Sequence, residues 1–130
     1  MTRLLIVGLG GALGSMARYG VGLAAARLMP GVAWPWATVS VNVIGGLLMG
    51  LLVGWLAQRG QGGESLRLFV AVGVLGGFTT FSAFSLETVL MIERRQFGLA
   101  AAYVGVSVVL AVAALFLGLM IARRAFGAGL

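Results

Sequence analysis

The residues able to do chemistry in this chain are few, and nearly all of them sit inside long apolar runs. Asn42 lies near the middle of an uncharged run covering residues 28–58. A buried amide costs a few kcal/mol unless it is hydrogen-bonded, so Asn42 is either a polar tie between helices or part of a permeation path. Arg18 and Glu87 are charged groups within candidate spans. Such groups point to function unless the side chain reaches the interface. Phe81 and Phe84 are three apart and share one helix face, with Ser82 and Ser85 on a neighbouring face. Phenylalanines at that spacing are ordinarily core or lipid-facing. An aromatic ring also has a positive edge, and rings presented edge-on can line a path for an anion while rejecting cations. Tyr103 and Ser107, four apart in an Ala/Val/Leu-rich stretch, form a candidate hydroxyl track.

The segment 73–82, Gly-Val-Leu-Gly-Gly-Phe-Thr-Thr-Phe-Ser, places three glycines and three hydroxyls near the middle of one run. Each glycine lowers helix propensity by about 1 kcal/mol, and the hydroxyls offer local bonds that compete with the helical ladder. This pattern predicts a break in the third helix. Broken backbone at membrane depth is tolerated only where protein, water or an ion satisfies it, and discontinuous helices build ion sites in this way. Other chemistries are absent from the composition. There is no cysteine and no histidine, which removes disulfides, thiolate and imidazole metal sites, and the commonest catalytic base. No nucleophile–base pair or nucleotide motif stands out, so an enzyme or an energised pump has nothing to rest on.

The elements that must position these groups follow from hydropathy. Of 130 residues, 61% are hydrophobic and 9% charged, with a mean hydropathy of +1.10. Soluble domains carry about 25% charged residues, so a water-exposed surface cannot be built from this set. Residues 4–17, 28–58, 68–86 and 96–122 contain no charge, and a bilayer-crossing helix needs roughly 20 mostly apolar residues. The expected architecture is all-α, a single integral membrane domain over 1–130 with helices at about 3–29, 34–58, 65–94 and 97–124. The first run continues past Arg18 through Tyr19-Gly20-Val21-Gly22-Leu23, the pattern of a first span rather than of a cleaved signal. Pro30-Gly31, Arg59-Gly60-Gln61-Gly62-Gly63 and Arg94-Arg95-Gln96 make short connections. Trp34, Trp36 and Trp55 fall near the ends of the second helix, where interfacial belts place indoles.

The net charge of +6 comes from arginine alone on the basic side, mostly near helix ends. That distribution suits anionic headgroups rather than nucleic acid. Counted over four spans, Arg3, Arg59, Arg67, Arg123 and Arg124 share one side, and Arg27, Arg94 and Arg95 the other. So weak a bias leads to the expectation that the chain inserts both ways and forms an antiparallel homodimer. Gly10, Gly14, Arg18 and Gly22 are each four apart, as are Asn42, Gly46, Gly50 and Gly54. Small residues at this spacing let helices approach closely in lipid.

Taken together, these residues resemble the CrcB/Fluc fluoride channel family over the whole chain. The resemblance is carried by Gly10-Gly11, Gly14 and Arg18, by Thr38, Asn42 and Gly45, and most specifically by the run Gly76-Gly77-Phe78-Thr79-Thr80-Phe81-Ser82-Ala83-Phe84. It implies an antiparallel, dual-topology homodimer in the bacterial inner membrane, with two fluoride pores and a central structural sodium ion at the broken third helices. By position, the backbone carbonyls of Gly76 and Thr79 would hold sodium and Asn42 would donate to fluoride. Phe81 and Phe84 would present ring edges, and Thr80, Ser82, Tyr103 and Ser107 would form a polar track. Arg18 would be structural or vestibular, and Glu87 would face either a vestibule or the subunit interface. The implied role is passive export that relieves fluoride toxicity, with lipid, fluoride and a second copy as partners and no nucleotide. Ala83 and Ala37 depart from the family pattern, which commonly has threonine and glycine there. Two rivals remain: a small proton-coupled multidrug exporter, weakened by a first helix without Asp or Glu, and a non-transporting assembly subunit.

Overall fold

The computed structural model describes residues 1–59 and 63–127; Gly60, Gln61 and Gly62 of the second connection lie outside it, as do the last three residues. The described residues are helical apart from short connections and one break. Helix α1 covers Thr2–Leu28 and α2 Trp36–Ala57. The third span, Glu64–Glu93, is divided into α3 (residues 64–78) and α4 (Ser82–Glu93), and α5 covers Phe97–Phe126. Four helices are long and apolar enough to cross a membrane.

Local chemistry sets the ends. Gly31, at φ +75°, turns the chain between α1 and α2 in the left-handed region that glycine enters freely. Helix α4 closes with paired bonds from Gln96 N–H to the Met91 carbonyl (2.8 Å) and from Arg95 N–H to the Ile92 carbonyl (2.9 Å). This closing motif needs a left-handed residue, and Arg95 supplies it at φ 59° where glycine is usual.

The helices pack as two pairs, α2 on α5 and α1 on the third span. On α2, a Cβ at Gly50 would overlap the Leu115 carbonyl, and one at Gly46 would lie 2.8 Å from the Ala111 carbonyl. From α5, Gly118 meets the Leu47 carbonyl in the same way. On α1, Gly10 and Gly14 take the Phe69 and Val74 carbonyls of α3. In return, Gly73 and Gly77 abut the backbone of Gly10 and Gly11. The α1 row therefore packs only in its first half. Gly22 has nothing within 4 Å, and beyond Gly14 the row borders a cavity, with only the Arg18 side chain reaching α3.

Within α3, residues Arg67–Leu75 wind as a wide π-helix, with Gly76 N–H reaching the Ala71 carbonyl five residues back. The break expected within 73–82 falls at the hydroxyl end of that segment: the chain keeps a helical turn over Gly76–Phe78 and becomes extended at Thr79 (ψ 161°). The glycines serve close approach to α1, and the hydroxyl residues end the helix. Thr79 directs its own Oγ1 to the Leu75 carbonyl at 2.9 Å, and Ala83 N–H donates to Thr80 Oγ1 at 3.2 Å instead of to a carbonyl. Few large side chains are fully enclosed, Tyr103 and Val41 foremost. Long apolar faces point outward, as lipid as solvent allows.

Candidate functional site

The break is held from α2 by Asn42. Its Oδ1 accepts from Thr80 N–H at 2.8 Å, and its Nδ2 donates to the Thr80 carbonyl at 3.0 Å. Both backbone groups of one non-helical residue are thus satisfied by one side chain, which removes most of the penalty for breaking a helix at this depth. One Nδ2 hydrogen remains for another acceptor. From the other side, Arg18 Nε donates to the Gly77 carbonyl at 3.1 Å, placing a cation at the C-terminal end of α3 where the helix dipole favours it. Because Thr80 N–H goes to Asn42 and Ala83 N–H to Thr80 Oγ1, the Gly76 and Thr79 carbonyls receive no amide from four residues ahead.

Two cavities meet at Thr80. One, about 410 Å³, is walled by Asn42, Thr79, Thr80, Phe81, Phe84 and Ser107, with apolar α5 residues behind them. The Phe81 and Phe84 ring centroids are 5.6 Å apart and tilted 43°. Phe81 is 78% exposed, so its ring stands at the open rim of this cavity. Ser107 is buried and its Oγ has no hydrogen-bond partner. The second cavity, about 520 Å³, is bounded by Arg18, Tyr19, Thr38, Thr80, Ala83 and Glu87. Arg18 is thus tied to the backbone of α3 and also lies on the wall of this cavity.

Glu87 is tied on both oxygens. Thr38 Oγ1 donates to Oε1 at 2.5 Å and Tyr103 Oη donates to Oε2 at 2.7 Å. Tyr103 is fully buried, with its ring 5.2 Å from Phe84 at a 41° tilt and edge-to-face at 5.6 Å with Trp34. Its hydroxyl points to Glu87 rather than joining Ser107, so the expected track is divided between two environments. Ser82 is 3.4 Å from Thr80 through the hydroxyls and borders neither cavity. Thr38 and Trp34 are the residues whose placement the sequence reading did not anticipate. Thr38 carries part of the family resemblance and lies four residues before Asn42 on the same face of α2, but neither signal names Glu87 as its partner. Trp34 had none beyond its interfacial position. Among the described residues no group of three His, Cys, Asp or Glu is arranged to hold a metal.

This arrangement lines one open cavity with an amide that has a hydrogen to spare, two phenyl rings and an unsatisfied hydroxyl. A family model described as CrcB-like protein, Camphor Resistance (CrcB), matches residues 5–119. The chain is 61% identical over 127 residues to a protein of Caulobacter sp. (strain K31), covering 97% of this chain and 98% of that one. It is 58% identical over 127 residues to one from Caulobacter vibrioides (strain NA1000 / CB15N), covering 97% and 99%. A protein of Phenylobacterium zucineum (strain HLK1) is 59% identical over 127 residues, again covering 97% and 99%. All three relatives carry the name fluoride-specific ion channel FluC. By the extent of the family match and the identity along nearly its whole length, this chain belongs to the CrcB family.

Proposed function

We propose that this protein is a multi-pass channel of the bacterial inner membrane that lets fluoride leave the cytoplasm passively. The observation that carries this reading is the 410 Å³ cavity in which Asn42, Ser107 and the Phe81–Phe84 pair converge beside Thr80. Fluoride is small and tightly hydrated, so a pore must replace its water with several donors at close range. Asn42 offers one amide hydrogen, the partnerless Ser107 offers a hydroxyl, and the phenylalanines offer positive ring edges. None carries a full charge, so the ion is bound weakly enough to leave. Arg18, on the wall of the adjoining cavity, draws anions toward Thr80, the residue common to both spaces.

A second copy and a sodium ion complete the proposal. The Gly76 and Thr79 carbonyls lack amide partners, and Gly76 faces outward from the single chain. Backbone oxygens in that state suit a hard, weakly polarising cation. Sodium bound there would supply positive charge to the ends of two broken helices. Gly76 and Thr79 hold it in this reading, and Asn42 and Arg18 keep their neighbouring carbonyls in place. The weak arginine asymmetry supports an antiparallel pair with two pores. Arginines added to one end alone should then abolish function when that variant is the sole copy, and unchanged function would refute dual insertion.

The deciding experiment is fluoride efflux from liposomes containing the purified protein, followed with a fluoride electrode, with chloride and the Asn42→Ala and Phe81→Ala variants as controls. Rapid fluoride release without chloride release, weakened in both variants, is the expected result. No release from well-folded protein would overturn the reading and favour proton-coupled export of organic cations.

A further inference from the structure

Asn42 has a neighbour on the same face of α2 that acts on the same break. Gly45 lies three residues further on and is buried against Thr79. A Cβ placed on Gly45 would overlap Thr79 Cγ2, while the next nearest atoms, Phe78 Cδ2 and Thr79 Cβ, stand at 3.6 Å, an ordinary contact. One methyl group therefore accounts for the whole conflict. Thr79 cannot easily turn that methyl elsewhere, because its Oγ1 and its N–H both donate to the Leu75 carbonyl, at 2.9 and 3.0 Å. At this residue the chain leaves the helix with ψ 161°. The adjacent Gly46 faces the other way, toward the Ala111 carbonyl of α5, so the Gly45-Gly46 pair serves two different neighbours.

We infer that Gly45 is a positioning residue for the break: its bare Cα seats the Thr79 methyl and thereby sets where the Thr79 carbonyl and the Thr80 backbone point. Asn42 fixes Thr80 by hydrogen bonds, and Gly45 fixes Thr79 by shape, so α2 is the template on which two successive non-helical residues are cast. A methyl on Gly45 displaces Thr79, pulls Thr80 from Asn42 and disturbs the wall of the Phe81 cavity. The functional readout rests on the proposed channel activity; the structural readout does not.

The test exchanges one methyl for another. Gly45→Ala adds the conflicting carbon, and Thr79→Ser removes its partner while keeping the hydroxyl bond to Leu75. Parent, both single variants, the double variant, Gly46→Ala and Gly46→Ala with Thr79→Ser are purified. Fluoride efflux per folded protein is measured with amide hydrogen exchange over residues 79–84. Gly45→Ala is expected to lower efflux about tenfold or more, as overpacking against a methyl held in place implies, and to speed exchange. The double variant should return to within about twofold of Thr79→Ser alone, as additivity of independent changes allows, and Gly46→Ala should gain nothing from Thr79→Ser. Parent-like efflux and exchange in Gly45→Ala would overturn the inference, as would a double variant no better than Gly45→Ala. If Gly45→Ala does not fold, recovery of folding by Thr79→Ser supports the inference and its failure refutes it. An inactive parent would count against the channel reading alone, leaving the exchange pattern to decide the role of Gly45.

Discussion

Replacing Asn42 by alanine tests the relation between the break and the pathway most directly. The substitution deletes bonds of 2.8 and 3.0 Å and strands both the N–H and the C=O of Thr80. A buried group left without its partner costs about 1–3 kcal/mol, whereas interhelical hydrogen bonds in membranes average nearer 0.6 kcal/mol. Thr80 borders cavities on two sides, so water can reach part of the stranded backbone and trims the upper figure. A loss of about 3 kcal/mol follows, equivalent to roughly a hundredfold fall in the equilibrium constant for the native break. Fluoride efflux from liposomes should fall, by up to about that factor, through the lost donor and the loosened break together, and the detergent-solubilised protein should unfold at a lower temperature. Asn42→Asp separates the two contributions. It keeps an acceptor for Thr80 N–H, loses the donor and adds negative charge on the proposed fluoride path, so it should lose less stability than alanine and at least as much efflux. Efflux of Asn42→Ala within about threefold of the parent, a change under 1 kcal/mol, would refute both the staple and the donor role.

Three further outcomes are expected. Gly50→Ala forces a methyl against the Leu115 carbonyl and should destabilise the α2–α5 pair by about 1–3 kcal/mol, visible as a lower midpoint of thermal unfolding in detergent. Glu87→Ala leaves the Thr38 and Tyr103 hydroxyls without their shared acceptor and should cost about 2–4 kcal/mol. Glu87→Gln, which retains one acceptor oxygen, should cost less, and equal losses would argue against the paired bonds. Arg95→Gly relieves a left-handed arginine and should stabilise by up to about 1 kcal/mol without altering efflux, checked by thermal unfolding and by the liposome assay together.

The extent to which the chain could be read in advance differs by feature. The four spans are legible because each is a long run of apolar residues, and in lipid a single chain segment has little alternative to a helix. The break is legible within the segment 73–82, but which of its residues end the helix is not. Propensity treats Gly76 and Gly77 as weak helix formers, whereas the backbone of Gly11 packs against Gly77 and needs that space inside an intact turn. Similarly, the α1 row at 10, 14, 18 and 22 reads as one packing stripe, but only Gly10 and Gly14 bring their backbone against α3, while Arg18 reaches it through its side chain and Gly22 touches nothing within 4 Å.

The polar residues mark the sharper boundary. Asn42 stands out in the sequence as an amide that needs a partner, but its partner is the backbone of a residue 38 positions away. Glu87 is conspicuous as an intramembrane carboxylate, but its two donors come from α2 and α5, 49 and 16 positions distant. The sequence alone determines that the chain lives in a membrane, how many times it crosses, and which few groups are too costly to be idle there, because these depend on local composition and on the energy of burying polarity. Tertiary structure alone decides which of those groups are tied to one another and which, like the Ser107 hydroxyl and the second Asn42 amide hydrogen, are left with bonding capacity to offer an ion. That division arises from which helix faces meet, a contact between distant segments that no local pattern encodes.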